Sequence, residues 1–313
     1  MRTKIIVNPA AGQGASARRW AGLREQLHAR LTGDEIDEAT SGGPGEETRI
    51  AREAALLGFE HFIVVGGDGT TCGVVNGLFE REQLINGRAL LSVIPAGTGN
   101  DLTRSLGFGD DGLAAIEAAA ARQVRYFDLL TLICMDRAGN PMQRYAINLV
   151  SWGAAAEITH RTNRSWLTKW LSGRFAYYLS TLLVTLSYPD LEGDLTVDGR
   201  TWERLVHYTG MVCNGEWAGG GMRLSPGARP DDGILDLVMF GDIRRREVLL
   251  QRPEWLYAGQ HVEHPAVDTM RGRHIRIAGR SDTLVATDGD AVGRLPLSVK
   301  VLPQALPVTV APA

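Results

Sequence analysis

Several features are scarce in this sequence, and each scarcity removes a class of protein. Only three cysteines occur in 313 residues, Cys72, Cys134 and Cys213. They are odd in number, scattered, and lack metal-ligand or redox spacing, so a disulfide scaffold and a zinc centre are excluded and reduced thiols in a cytoplasmic protein are expected. There is no cationic excess: 33 Lys and Arg against 36 Asp and Glu leave a net charge of −3, which argues against nucleic acid as a partner. Long apolar runs are missing too. The longest uncharged stretch, Phe175 to Tyr188, is interrupted by Ser and Thr and falls short of the roughly 20 residues of a transmembrane helix. Met1-Arg-Thr-Lys4 is followed by Ile5, Ile6 and Val7 and then Asn8-Pro9, too short an apolar run for a signal peptide. No G-x-G-x-x-G follows the first strand and no G-x-x-x-x-G-K-[ST] occurs, which argues against a Rossmann dehydrogenase and a P-loop ATPase.

What is present is an ordinary globular composition, 44% apolar and 22% charged, on a chain long enough for two domains. The chain is organised around His61-Phe-Ile-Val-Val-Gly-Gly-Asp-Gly-Thr-Thr71. A short apolar run rich in β-branched residues ends in glycines, then turns through Asp68-Gly69 into a helix-compatible segment, Thr71 to Glu80. That is the pattern of a buried strand, a glycine loop and a helix N-terminus, where a phosphate can approach backbone N–H groups. A carboxylate inside such a loop repels phosphate unless a cation intervenes, so Asp68 suggests a nucleotide handled with Mg²⁺.

In order, the first part reads as a strand at Lys4–Val7, a glycine-rich turn, a helix from about Ser16, a short strand at Glu35–Thr40 and a helix from Glu46 to Leu57. The central strand and loop follow, then a strand at Ala89–Ile94 and an alanine-rich helix from Asp111 to Ala121. Strands alternating with helices predict a parallel sheet covered on both faces, with ligands at the carboxyl ends of the strands. Gly66–Gly69 and Gly97–Asp101 both follow strands and would meet at that edge. After Asp128 the rhythm changes to short strands punctuated by Asp198-Gly199 and Asp232-Gly233 turns. Expected strands are Thr131–Met135, Tyr145–Val150, Asp194–Val197, Val206–Val212, Ile234–Phe240, His274–Ala278 and Leu284–Ala286. A helical stretch from Leu167 to Ser187 interrupts them. It carries Trp166, Trp170, Phe175, Tyr177 and Tyr178 beside Arg161, Arg164, Lys169 and Arg174. This is either a patch for anionic lipid or an amphipathic helix packed on a sheet.

Five stretches, in this order, resemble the diacylglycerol kinase catalytic family of soluble bacterial lipid kinases, relatives of the sphingosine and ceramide kinases. They are Asn8-Pro9-x-x-Gly12; Gly66-Gly-Asp-Gly-Thr70 with Val74-Val-Asn-Gly77; and Ile94-Pro-x-Gly-Thr-x-Asn-Asp101. Asn214-Gly-x-x-x-Gly-Gly-Gly-Met-Arg-Leu-x-Pro226 with Asp231-Asp-Gly233-x-x-Asp236 follows, and Asp288-Gly289-Asp290 closes the series. The resemblance covers nearly the whole chain. It implies an α/β protein: a Rossmann-like parallel α/β nucleotide domain over residues 1–128, with segment 295–313 available to complete it, and a mostly antiparallel β-rich lipid-substrate domain over 129–294. The active site would lie in the cleft between them. The nucleotide site it implies comprises Asn8, Pro9, Ala10, Ala11, Gly12, Thr40, Gly66, Gly67, Asp68, Gly69, Thr70, Thr71, Cys72, Gly73, Thr98 and Asn100. Asp68, Asp101 and Asp128 match carboxylates that organise a catalytic Mg²⁺ and its waters. Asp288 and Asp290 match an acidic pair that positions or deprotonates the acceptor hydroxyl. Arg229, Asp232 and Ile234 match a second, structural Mg²⁺ site built from one carboxylate and backbone carbonyls.

Two positions depart from that pattern. Gly73 and Asp290 stand where the family usually has glutamate, and the shorter side chain at 290 withdraws its carboxylate by roughly 1.5 Å. The implied activity is an ATP- and Mg²⁺-dependent lipid kinase that meets a diacylglycerol-like substrate at the membrane surface, peripheral to the inner face. NAD kinase, which shares the GGDG loop, and a non-catalytic nucleotide- or lipid-binding member remain alternatives. Exposed sheet edges on the second domain would allow pairing into a homodimer.

Overall fold

The computed structural model describes residues 1–164, 181, 183–184, 187–243 and 254–311. The chain divides into two compact units, residues 1–129 with 303–313, and residues 130–302.

The first unit is built on parallel strands β1 (Arg2–Val7), β2 (Glu35–Thr40), β3 (His61–Gly66) and β6 (Leu90–Pro95), in the order β2-β1-β3-β6. β4 (Phe79–Glu80) and β5 (Gln83–Leu84) form a small separate hairpin. Every residue of β3 and β6 is buried, the signature of parallel strands covered on both faces. The covering helices are α1 (Ala15–Arg30), α2 (Glu46–Leu56), α3 (Asp68–Leu78), α4 (Asp101–Ser105) and α5 (Gly112–Ala121). Asp111 caps α5 by accepting the N–H groups of Leu113 and Ala114 at 2.9 and 3.1 Å. Beside β6 runs the C-terminal segment, with Val308 opposite Leu91. A buried polar chain joins them: His61 Nε2 and Thr309 Oγ1 lie 2.8 and 2.9 Å from Ser92 Oγ.

β7 (Val124–Met135) carries the chain into the second unit, where β8 (Pro141–Ala146) pairs with it antiparallel. The other strands are β9 (Leu149–Gly153), β10 (Leu191–Val197), β11 (Arg200–His207), β12 (Thr209–Cys213), the β13–β14 hairpin (Trp217–Ala218 and Met222–Arg223), β15 (Leu235–Phe240), β16 (Val267–Gly272), β17 (His274–Gly279), β18 (Leu284–Thr287) and β19 (Asp290–Thr309). They pair antiparallel along β16-β15-β12-β9-β18-β19, with β17, β10 and β11 branching from β19. Alternating inward residues such as Val150, Trp152, Val212, Leu237, Ile275 and Leu297 make one apolar core. Among the described residues of this unit are the helices α6 (Ala154–Arg164) and α7 (Glu254–Tyr257).

The expected fold class, a parallel α/β unit followed by an antiparallel β-rich one, is what the structure contains. Details differ. The helix expected from Thr71 begins at Asp68, so the glycine loop is itself the first helical turn. The strand expected over 145–150 breaks at Ile147–Asn148, because their N–H groups turn to a side chain from β18's end, described below. Most of the helical stretch expected over 167–187, including Trp166, Lys169, Trp170, Arg174, Phe175, Tyr177 and Tyr178, lies outside the described residues. Arg161 is described and pairs with Glu157 at 2.6 Å.

Candidate active site

Strand register places the sequence-derived nucleotide residues along one sheet edge. Val7, the last residue of β1, lies opposite both Thr40 and Val65, and Val65 lies opposite Ile94. The segments that follow these positions therefore leave the carboxyl edge side by side, where open α/β sheets bind ligands. Asn8 opens the first segment. Its backbone N–H donates to Val65 O at 3.0 Å, its side-chain Nδ2 donates to Thr70 Oγ1 at 2.9 Å, and its Oδ1 accepts from Ala10 N–H at 3.0 Å. Pro9 and Ala10 form a turn, and Ala11 and Gly12 open a short 3-10 turn ending at Gly14. The second segment is Gly66, the extended N-cap Gly67, and Asp68 through Gly73 on α3, with Gly69, Thr70, Thr71 and Cys72 in its first turns. The third runs from Ala96 to Asn100, with Thr98 exposed and Asn100 Oδ1 accepting Gly97 N–H at 3.0 Å.

Segments two and three touch backbone to backbone. A Cβ on Gly97 would stand 2.5 Å from Gly67 Cα, and one on Gly67 would stand 3.1 Å from Gly97 Cα. Neither neighbour is a flexible side chain that could move aside, so the contact excludes a side chain at Gly97 and admits one at Gly67 only with a small backbone shift. Arg19 of α1 donates to Pro95 O at 3.4 Å and sets a guanidinium at the base of this loop. Gly73 faces a side chain rather than backbone. The space its side chain would fill is taken by Glu47 of α2, whose Cγ and Oε1 lie 2.5 Å from the would-be Cβ. Thr48 Oγ1 donates to Gly73 O at 2.8 Å and ties the two helices at that point.

The three carboxylates of the first unit have distinct surroundings. Asp68 Oδ2 and Oδ1 accept the N–H groups of Asp101 and Leu102 at 3.2 and 3.0 Å, so Asp68 caps the short helix α4. Burial pushes its pKa up, against those two amide bonds and the Arg104 charge, which pull it down. Asp101 is buried and pairs with Arg104 at 3.0 Å. Asp128, fully buried on β7, accepts the N–H of Gln304 at 2.7 Å and anchors the returning C-terminal segment. Asp68 and Asp101 are thus brought together, while Asp128 is held by a different part of the unit.

In the second unit the acidic pair is split by environment. Asp288 is buried, with φ +39°. Its carboxylate accepts three backbone N–H bonds, from Ile147 at 2.8 Å, Asn148 at 3.1 Å and Leu149 at 2.7 Å. Asn214, from the glycine-rich motif, braces the same turn, its Nδ2 donating to Ile147 O at 2.8 Å. Asp290 is an exposed residue, and its Oδ1 accepts from Asn163 Nδ2 of α6 at 3.0 Å, which also donates to Gly289 O at 2.7 Å. Crowding by protein around the carboxyl raises the Asp290 pKa above the ordinary aspartate value; the Asn163 amide works in the other direction. Asn163 was not foreseen: a lone asparagine in a helix carries no sequence signal for a contact across 127 positions.

The remaining candidates, Arg229, Asp232 and Ile234, lie in the segment just before β15. Asp232 Oδ1 accepts Ile234 N–H at 3.1 Å, and Oδ2 is paired with Arg271 of β16. Arg229 lies 3.6 Å from Asp231. Among the described residues no group of three or more His, Cys, Asp or Glu side chains forms a metal-binding cluster.

Two family models match the chain. Residues 2–132 match the diacylglycerol kinase catalytic domain, and residues 148–310 match the YegS C-terminal NAD kinase beta sandwich-like domain. Among curated proteins, the chain is similar to a diacylglycerol kinase of Staphylococcus carnosus (27% identity, covering 98% of this chain and 94% of that protein). It is similar to a diacylglycerol kinase of Bacillus subtilis at the same identity, 27%, covering 94% of this chain and 91% of the relative. A crystal structure of a diacylglycerol kinase from Bacillus anthracis str. Sterne has the same fold, with TM-score 0.71, 22% identity and coverage of 99% and 97% of the two chains. With both halves matched in order over nearly its whole length, the chain belongs to the family that joins a diacylglycerol kinase catalytic domain to a YegS-type C-terminal domain.

Proposed function

We propose that this protein is an ATP- and Mg²⁺-dependent lipid kinase that transfers the γ-phosphoryl group of ATP to the hydroxyl of a diacylglycerol-like lipid. The observation that carries the reading is the asymmetry of the acidic pair. Both oxygens of Asp288 are committed to backbone amides, whereas Asp290 keeps lone pairs toward solvent and has a raised pKa. A carboxylate of that kind suits a general base, because its proton affinity lies closer to the working pH. In this reading Asp290 takes the proton of the acceptor hydroxyl as its oxygen bonds to the γ-phosphorus. The bond from that phosphorus to the β,γ-bridging oxygen breaks, and ADP leaves with the electron pair. Asn163 fixes the Asp290 carboxyl, and Asp288 fixes the turn that presents it.

On the first unit, Asn8–Gly12, Thr40, Gly66–Gly73, Thr98 and Asn100 form the nucleotide site. Loops that meet through glycines leave amide N–H groups open to phosphate oxygens. Asp68 and Asp101 fit a hard cation: each oxygen of Asp68 accepts one amide bond, which leaves lone pairs for metal-bound water. Those two residues, together with Asp128 as the third carboxylate that the family resemblance implies, would hold Mg²⁺, which would neutralise charge on the transferred phosphoryl group. The substrate is met at a membrane surface from the cytoplasmic side. Among the described residues no helix is long and apolar enough to cross a bilayer.

The test is labelled ATP offered with diacylglycerol, monoacylglycerol, phosphatidylglycerol and a sphingoid base in mixed micelles, with NAD alone in parallel. Label in one lipid and none in NAD is the expected outcome. Label in NAD, or ATP binding with no transfer to any lipid, would overturn the proposal.

A further inference from the structure

The segment that resembles a structural Mg²⁺ site holds a cation of its own. β15 and β16 pair antiparallel with Asp236 directly opposite Arg271. From that position the Arg271 guanidinium spans two carboxylates, Nε donating to Asp236 Oδ1 at 3.0 Å and Nη2 to Asp232 Oδ2. The other oxygen of Asp232 is engaged as well, accepting Ile234 N–H at 3.1 Å. Both carboxylates are largely covered, with side chains 22% and 16% exposed, so leaving two negative charges there without a cation would be costly. Asp232 keeps only the second lone pair of Oδ1 for a divalent ion, and an ion bound there would sit beside the Arg271 guanidinium that already neutralises both carboxylates, so the residues present do not favour a resident Mg²⁺.

We propose that Arg271 is a built-in replacement for a structural divalent cation, clamping the 229–236 segment to β16 through Asp232 and Asp236. A guanidinium is suited to this exchange. It is permanently charged, and its fork of N–H donors reaches two carboxylates at once. What it gives up is charge: one positive unit in place of two. Consistent with that deficit, Asp236 Oδ2 is buried with no hydrogen-bond partner. The inference is independent of the acceptor and of phosphoryl transfer, since it concerns only what holds this turn.

The full chain should be melted without nucleotide, in EDTA and in millimolar MgCl₂. Wild type should show the same midpoint in both, within about 1 °C, because no structural site is left to fill. Arg271→Gln should melt lower in EDTA and recover by about 5 °C or more in MgCl₂, since a cation in hundredfold excess over its Kd stabilises the folded state. Arg271→Lys, which keeps a charge, should show no such recovery, and Arg271→Gln with Asp232→Asn should lose it. Two outcomes overturn the proposal. One is a wild-type midpoint raised by MgCl₂ and insensitive to it once Asp232 is Asn. The other is an Arg271→Gln protein that melts like wild type in EDTA. If Arg271→Gln does not fold, the wild-type and Asp232→Asn melts still decide between Arg271 and a metal.

Discussion

Replacing Asp288 should damage the fold before it damages the chemistry, and the size of the effect follows from its three bonds. Asp288→Ala leaves the buried N–H groups of Ile147, Asn148 and Leu149 without the carboxylate that now accepts them. An orphaned buried donor costs about 1–3 kcal/mol, and three on one turn share their relaxation, so a total of roughly 3–5 kcal/mol is expected. For a domain of this size that lowers the melting midpoint by roughly 6–20 °C. Asp288→Asn should cost less. Its remaining oxygen can still serve Asn148 and Leu149, while its amide meets the Ile147 N–H donor to donor. Asp290→Asn should cost almost nothing, because Asp290 is solvent-reached and bonded to one amide. Thermal melts followed by circular dichroism give the order Asp288→Ala, Asp288→Asn, Asp290→Asn, from most to least destabilised. An Asp288→Ala protein that melts like wild type yet transfers no phosphoryl group would refute this reasoning and put Asp288 into the chemistry.

Other substitutions and conditions probe the remaining parts. Gly97→Ala drives a Cβ to 2.5 Å from Gly67 Cα, so it should cost about 1–3 kcal/mol and weaken ATP binding measured by calorimetry. Gly73→Glu, the change that would restore the usual family residue, meets Glu47 and should destabilise alone; adding Glu47→Ala should recover the midpoint. The raised pKa of Asp290 carries a definite sign. The folded state favours its protonated form, so its contribution to stability is present at low pH and is lost as pH rises through the folded pKa. Transfer needs the deprotonated form, so the acid limb of kcat/KM should lie above the ordinary aspartate value of about 3.9. His61 runs the other way: burial lowers its pKa to about 3, so its contribution is present above the unfolded value of 6.5 and is lost as pH falls from there toward 3. His61→Gln should flatten that part of the acid stability profile.

Most of the parallel unit was legible because period, glycine and cap signals agreed. β1, β3 and β6 are apolar runs ending in glycine or proline turns, α2 lies where its apolar spacing places it, and α5 starts at its Asp111 cap. The α/β-then-β fold class followed from the same alternation. β19 was hidden by its own prolines, Pro296, Pro303 and Pro307, which disfavour a strand by local chemistry and are accommodated by its neighbours. The break at Ile147–Asn148 was invisible because its cause, Asp288, is about 140 residues away in sequence. The same limit hid Asn163 behind Asp290, Glu47 over Gly73 and Arg271 on Asp232. Each is a side chain whose meaning depends on a tertiary neighbour rather than on spacing. Asp68 was legible as an exception within a glycine loop, but its partner was not: α4 is too short to announce itself, and its two amides are what the carboxylate holds.

Phosphoryl transfer by Asp290→Asn is the most direct measurement of the proposed chemistry. Label should be followed from ATP to the best lipid acceptor at saturating ATP, with the melting midpoint and ATP affinity recorded on the same preparation. Loss of a positioned general base should lower kcat by about 10²–10⁴, with the midpoint and ATP affinity unchanged. Transfer within twofold of wild type, from an equally stable protein, would show that the acceptor hydroxyl gives its proton to something other than Asp290.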